Sequence, residues 1–228
     1  MLLLERFPQE TGRSYAVRTL RENIVKLELP PGSQLSEQDI ANELGLSRTP
    51  VREAIAELAQ IGIVEIFPQK RGKVALIDPN LVDEALFMRR VLECAIVGEL
   101  CRVAVPEDLV KLETNVKLQE FYMSNGSYTE LVELYDQFHK MLFFAAKKPK
   151  IWDMIDTYSV HFDRVRYMVV KTVQGGLNVV GENQELLRAI QEKDSAKAQR
   201  LMEKHLNQKD QYFDRILEAF PETYFLRK

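Results

Sequence analysis

The stretch Leu44-Gly45-Leu46-Ser47-Arg48-Thr49-Pro50-Val51-Arg52-Glu53-Ala54-Ile55 decides how the rest of the chain is read. Gly45 breaks one short helix, and a new one starts at Ser47 or Thr49, either of which can cap it. Pro50 is tolerated in a first turn, because its missing N–H would have no intrahelical partner there. Val51, Ile55 and Leu58 recur at helical spacing and form the buried stripe of this helix. Arg48 and Arg52, four apart, then share an outward face beside the hydroxyls of Ser47 and Thr49. An arginine fork matches guanine O6 and N7, and a hydroxyl can hold a phosphate. That face therefore has the chemistry of a helix that reads a DNA major groove.

Upstream, Val17, Leu20, Ile24 and Leu27 mark an amphipathic helix that Pro30-Pro31-Gly32 ends. Ser36, three before Asp39, starts a short helix carrying Ile40 and Leu44. Downstream, Ile63–Phe67 and Lys73–Ile77 are β-rich runs joined as a hairpin by Pro68-Gln69-Lys70-Arg71-Gly72. Lys70, Arg71 and Lys73 surround Gly72, so a flexible tip would carry three cations towards a groove or backbone. Helix, helix, tight turn, helix and cationic hairpin is the order of a winged helix-turn-helix.

These residues carry a resemblance. The stretch from Pro31 to Ala75, most specifically "LGLSRTPVREAI" and the wing glycine, resembles the DNA-binding domain of the GntR family of bacterial transcriptional regulators. The resemblance spans about residues 14–77 and implies base contacts from Arg48 and Arg52 and backbone contacts from Ser47 and Thr49. It also implies a wing around Arg71-Gly72 in the minor groove, with Gln38 as a weaker contact. One departure is Leu27, where the family often has a glycine ending the first helix.

Asp78-Pro79-Asn80 reads as a linker, since the residue before a proline is pushed out of helix. This divides the chain into a winged helix-turn-helix over 1–77 and an all-α domain over 78–228. The expected fold class is mainly α, with three helices and a β-hairpin followed by an antiparallel helical bundle. Helices are broken at Val105-Pro106, Ser124-Asn125-Gly126, Lys148-Pro149 and Gln174-Gly175-Gly176.

The second half resembles the all-helical FCD-type ligand-binding domain of the FadR subfamily. It does so through "MRRVLE" at Met88–Glu93, "FHKMLFFAAKKPKIW" from Phe138, "HFDRVR" at His161–Arg166 and "AIQEKDSAKAQRLMEKHL" from Ala189. Many members hold a divalent metal with one Asp and three His. His139 and His205 match that pattern, whereas Tyr135 and Asn183 stand where the Asp and the middle His would fall. Neutral tyrosine and asparagine are poor ligands for a transition metal. Asp136, on roughly the same face, is a possible substitute. A divalent ion of the zinc or nickel type is thus one expectation, and a metal-free pocket in which both histidines are hydrogen-bonded is the other. His161 falls outside the pattern and is expected to pack or bond locally.

Arg89, Arg164 and Arg166 lie in stretches that the resemblance places near or at the bundle interior. A buried arginine needs a compensating anion, which a carboxylate effector would supply through a bidentate pair. Glu93 and Asp163 can satisfy the same arginines internally. The candidate effector residues are therefore Arg89, Tyr135, His139, Arg164, Arg166, Asn183 and His205.

Composition sets the frame for these expectations. The 228 residues carry 31 Lys+Arg against 34 Asp+Glu, an acidic balance that speaks against a nucleic-acid binder. Residues 1–75 hold ten of those cations and ten of those anions, so even the first half lacks a basic excess. The positive charge is concentrated instead on Arg48, Arg52, Lys70, Arg71 and Lys73. Cys94 and Cys101, seven apart on one helix, are too far apart for a disulfide. With no run long enough to span a membrane, a cytoplasmic location is expected.

The function read from the sequence is a ligand-responsive, sequence-specific DNA-binding regulator, a homodimeric repressor released from double-stranded operator DNA by a small effector, and not an enzyme. Two other readings use the same residues. One is a metal-dependent enzyme built on His139 and His205. The other is a helical interaction module whose helix-turn-helix no longer binds DNA.

Overall fold

A computed structural model describes residues 1–67, 72–172, 179–207, 216 and 218–227. The chain packs as two compact units. The first comprises Met1–Val82, Tyr158–Val165 and Phe220–Lys228; the second comprises Asp83–Thr157 and Arg166–Ala219. A boundary at 77/78 follows the chain, whereas packing draws two later segments into the first unit. The stretch Asp78-Pro79-Asn80 is not an open linker. Asp78 Oδ1 accepts the Asn80 N–H at 2.8 Å, and a helix starts at Pro79, the position where proline fits best.

In the first unit the order is α1 (Gly12–Val25), β1 (Gln34–Leu35), α2 (Glu37–Leu44), α3 (Arg48–Gln60), β2 (Val64–Glu65) and β3 (Gly72–Val74). The three short strands form an antiparallel sheet in the order β1-β3-β2. The hairpin of the sequence reading is present but shorter, and β1 was not legible because two residues show no periodicity. Leu20, Ile24, Leu35, Val51, Leu58, Ile63 and Val74 make the core, together with Val160 from the later segment. The Ser36 hydroxyl accepts from the Asp39 N–H and caps α2. Gly45 closes that helix in the left-handed region at φ 64. The chain's last segment also belongs here. Phe225 is buried and bridges Ile77, with Ile77 N–H donating to the Tyr224 carbonyl at 2.8 Å.

The second unit is helical: α4 (Pro79–Val103, from Asp83 onward), α5 (Pro106–Ser124), α6 (Tyr128–Ala145), α7 (Pro149–Tyr158), α8 (Val160–Thr172, from Arg166 onward), α9 (Val179–Gln191) and α10 (Ser195–Leu206). Helix α5 packs on α6 and α9, and α9 on α10. Val97, Leu100, Leu112, Phe138, Leu142, Phe143, Ile155 and Met202 are all buried in one cluster. The breaks at Pro106, Asn125 and Pro149 fall where expected, while Gln174–Gly176 lie outside the described residues. Two further breaks were missed. Ser159 separates α7 from α8, and Lys193-Asp194 separate α9 from α10, where the Asp194 carboxylate caps the Lys197 N–H. Among the described residues no helix is long and apolar enough to cross a membrane.

Leu27 departs from the amphipathic stripe assigned to it. Helix α1 ends at Val25, and Leu27 follows in the left-handed region at φ 61. For a residue with a Cβ that conformation costs about 1–2 kcal/mol, and glycine's extra chain entropy offsets roughly 0.5–1 kcal/mol of it. Leu27→Gly is therefore expected to raise stability by about 0.5–1 kcal/mol, read as a higher urea midpoint with an unchanged slope.

Candidate nucleic-acid interface and inner polar site

Helix α3 is rotated by its apolar stripe. Val51, Ala54, Ile55 and Leu58 are buried, which leaves Ser47, Arg48, Thr49 and Arg52 exposed. Ser47 occupies the N-cap position without making a side-chain cap bond, so its hydroxyl and the first N–H groups remain directed outward. Arg48 rests on Glu37 of α2 at 3.0 Å, an exposed pair that orients the guanidinium at little energetic gain. Gln38 is exposed on α2 and bonds Asn42 Oδ1 at 2.9 Å. Lys70 and Arg71 lie outside the described residues, and Lys73 sits on β3 opposite Gln34 and Glu65.

Gly72 is not at a flexible tip. It is paired with Leu35 in the sheet, where a Cβ would meet Ile55 Cγ2 at 3.3 Å. The glycine allows strand β3 to approach the reading helix closely.

In the second unit the polar groups converge around two histidines. Arg89 and Glu93, one turn apart on α4, form a fully buried ion pair at 2.6 Å. The other Glu93 oxygen bonds His139 Nδ1. His205 Nδ1 meets Glu182 at 2.7 Å. A carboxylate only accepts, so each ring carries a proton on Nδ1 and turns its Nε2 inward. Those two Nε2 atoms are 3.3 Å apart, and the Tyr135 hydroxyl hydrogen-bonds that of His205 at 2.5 Å. Asn183 is buried beside a chain of amides: its Nδ2 donates to Gln119, whose Nε2 donates to Asn115. Asn183 Oδ1 is buried with no hydrogen-bond partner among the described residues.

The electrostatics follow from burial and charge. Burial alone pushes the Glu93 carboxyl up, but the Arg89 charge and the His139 contact outweigh it and hold it at about 2. Burial lowers Arg89 too, and the Glu93 charge reverses that into a net rise. Burial lowers His139 to about 4 and raises the Tyr135 phenol, so both are neutral near pH 7.

The donor set fits a divalent transition ion in part. Two nitrogen ligands of a tetrahedral zinc at about 2.0–2.1 Å lie about 3.3–3.4 Å apart, and carboxylates behind both imidazoles are the usual support. The remaining donors are the neutral oxygens of Asn183 and Tyr135. Asp136, the possible substitute, is paired with Arg166. Among the described residues no group of three or more His, Cys, Asp and Glu is arranged to hold a metal.

The arginine argument for a carboxylate effector is overturned. Arg89 is neutralised by Glu93, and Arg166 by Asp136 while its guanidinium lies 5.4 Å from the centre of the Tyr135 ring. Arg164 is not in this site at all. It belongs to the first unit, where it donates to the Ala75 carbonyl at 2.7 Å and to His161 Nδ1 at 3.0 Å. Asp163, offered as its counter-ion, lies instead 3.7 Å from Arg21 of α1. His161 bonds locally as expected, accepting the Asp78 N–H at 3.1 Å. What the sequence missed was the part of Glu93 and Glu182 in orienting the histidines: the i and i+4 spacing of Arg89 and Glu93 signals only helix pairing, and Glu182 lies 23 residues from His205. A separate groove of about 700 Å³ on the second unit is lined by Leu112, Asp136, Met141, Phe144, Trp152 and Asp156 among others, without either histidine.

Burial, followed by the Arg164 charge, lowers His161 to about 4. Its unfolded-state value is about 6.5, so the native state resists protonation between those limits. This contribution to stability is complete above about pH 6.5 and falls by about 1.4 kcal/mol per unit as pH drops towards 4. His139, also lowered to about 4, contributes in the same window, so urea unfolding at pH 7.5, 6 and 5 is expected to show the sum of the two declines, and His161→Gln to remove about half of it.

Residues 84–208 match the FCD domain family, and residues 14–74 match the bacterial regulatory proteins of the gntR family. The HTH-type transcriptional repressor RspR of Escherichia coli K12 is 30% identical over 201 residues, covering 88% of each chain. An uncharacterised HTH-type transcriptional regulator from an unstable DNA locus of Streptomyces ambofaciens is 30% identical over 214 residues, covering 94% of this chain and 90% of its own. Among solved structures, McbR/YncC of E. coli superposes with a TM-score of 0.79 at 19% identity, covering 93% of this chain and all of its own. A putative GntR regulator from Rhodococcus sp. RHA1 gives 0.72 at 22% identity, covering 92% and 99%. The reading helix, the small sheet and the helical unit are those of such proteins, and the chain belongs to the gntR family of HTH-type transcriptional regulators, carrying an FCD domain.

Proposed function

We propose that this regulator is a homodimeric repressor that binds a pseudo-palindromic operator and leaves it when a small effector enters the helical unit. The observation that carries the DNA half is the rotation of α3, which buries Val51 and leaves Ser47, Arg48, Thr49 and Arg52 on one exposed face. A two-fold dimer presents two such faces to half-sites about one helical turn apart. Arg52 and Arg48 read bases, while Ser47, Thr49 and Lys73 hold the backbone, with Gln38 at the margin.

The effector half is supported by the inner polar site of Tyr135, His139, Asn183 and His205. The inward lone pair of the neutral His139 and the Asn183 oxygen, without a partner among the described residues, give it acceptors. It suits a ligand bearing N–H or O–H donors, or a cation. His139 and His205 are the residues that would hold a divalent ion of the zinc or nickel type, and such an ion would supply the positive charge that a carboxylate effector needs. By linkage, effector and operator each weaken the other's binding by the same factor.

A gel shift with the DNA upstream of the chain's own gene, across a salt series, tests the first half. Binding that weakens steeply with salt is expected. No shift at low salt with folded protein would overturn the reading. Arg52→Ala is expected to cost about 1–3 kcal/mol and to relax preference at one base position.

Titration calorimetry with zinc chloride tests the metal. His139→Ala and His205→Ala should each lower affinity at least about tenfold; heats identical to the parent protein would remove the metal from the site.

A further inference from the structure

We propose that Ser159–Arg164, a segment inside the stretch that matches the FCD family, is a working part of the DNA-binding unit, with Arg164 and His161 as positioning residues for its wing. The inference rests on the DNA-binding reading above and adds to it residues about ninety positions away from the sheet they hold.

Arg164 is fully buried at 0% exposure, yet its partners are a carbonyl oxygen and an imidazole nitrogen. The carbonyl is that of Ala75, the residue directly after β3, whose own N–H donates to the Ile63 carbonyl at 3.0 Å. One guanidinium nitrogen thus grips the strand that leaves the wing. The other grips His161 Nδ1, which also accepts the Asp78 N–H. Both neighbours of that nitrogen can only donate, so Nδ1 bears the lone pair and the ring is neutral with its proton on Nε2. The pair of side chains ties the outgoing strand at Ala75 and again at Asp78.

The segment is anchored independently of this pair. Val160 is 1% exposed within the cluster that contains Leu58 and Val74, and Asp163 faces Arg21 of α1. An apolar side chain would fill the Arg164 position at lower cost, because desolvating a guanidinium is expensive. What arginine adds is a rigid planar fork that fixes two directions at once. Strand β3 carries Lys73 and packs through Gly72 against Ile55 of the reading helix. Holding its far end therefore sets where the wing's cation sits relative to α3.

The test uses the full chain and the operator fragment defined by the gel shift. Arg164→Met keeps the length and apolar bulk of the side chain and removes the fork. The expected result is an unchanged thermal midpoint within a few degrees, retained preference for the operator, and about tenfold weaker binding. The slope of log K against log salt should be shallower by about one, the loss of one phosphate contact. Lys73→Ala should weaken the parent protein but change Arg164→Met little, because the two act through one contact. A purely structural role would lower the midpoint and the affinity while leaving the salt slope and the additivity intact, and that result overturns the proposal. Should Arg164→Met not fold, His161→Leu removes the acceptor from the other side and must give the same shallower slope; an unchanged slope there is equally fatal. Failure of the parent protein to bind any operator would instead count against the DNA-binding reading.

Discussion

Burial of one apolar stripe on α3 governs what the first unit can do. Val51, Ala54, Ile55 and Leu58 pack against α1, α2 and the small sheet, and their burial fixes the helix's rotation about its axis. Once that rotation is set, Ser47, Arg48, Thr49 and Arg52 have no side to occupy but the outer one. The same stripe places Ile55 against Gly72, so α3 and strand β3 are registered by a close contact. A surface with no net positive charge can then still carry a focused one.

The second unit is organised by charge rather than by a stripe. Arg89 keeps Glu93 ionised in a place where burial alone would neutralise it, and the ionised Glu93 then fixes the tautomer of His139. Glu182 does the same for His205. The inner nitrogens of the two rings therefore face each other, and the neutral His139 turns a lone pair inward, which in a closed interior is favourable only when something positive or hydrogen-donating sits with it. Tyr135 supplies one such donor, and the buried Asn183 oxygen is left for another.

Much of this was legible in the chain. The positions of α2, α3 and the helical breaks at Pro106 and Pro149 follow from caps, prolines and apolar spacing, all local signals. His139 and His205 stood out by resemblance, and the structure brings them together. Arg164 did not behave as expected. Its neighbours in sequence belong to the helical half, so a reading along the chain sends it to the bundle interior, whereas its side chain binds the Ala75 carbonyl. Leu27 likewise fits an apolar stripe by spacing, but α1 has already ended and the residue serves the turn instead.

The sequence by itself determined the order of elements, the outward face of α3 and the family to which the chain belongs, because each depends on residues within one or two turns of one another. Only the tertiary structure decided which carboxylate answers which cation: Glu93 for Arg89, Asp136 for Arg166, and a backbone carbonyl for Arg164. It also showed that Gly72 serves close packing, and that residues 158–165 and the chain's last segment join the first unit. The physical reason is the same in each case. Periodicity records which side of an element is buried, and it says nothing of the distant partner that the fold brings to that side.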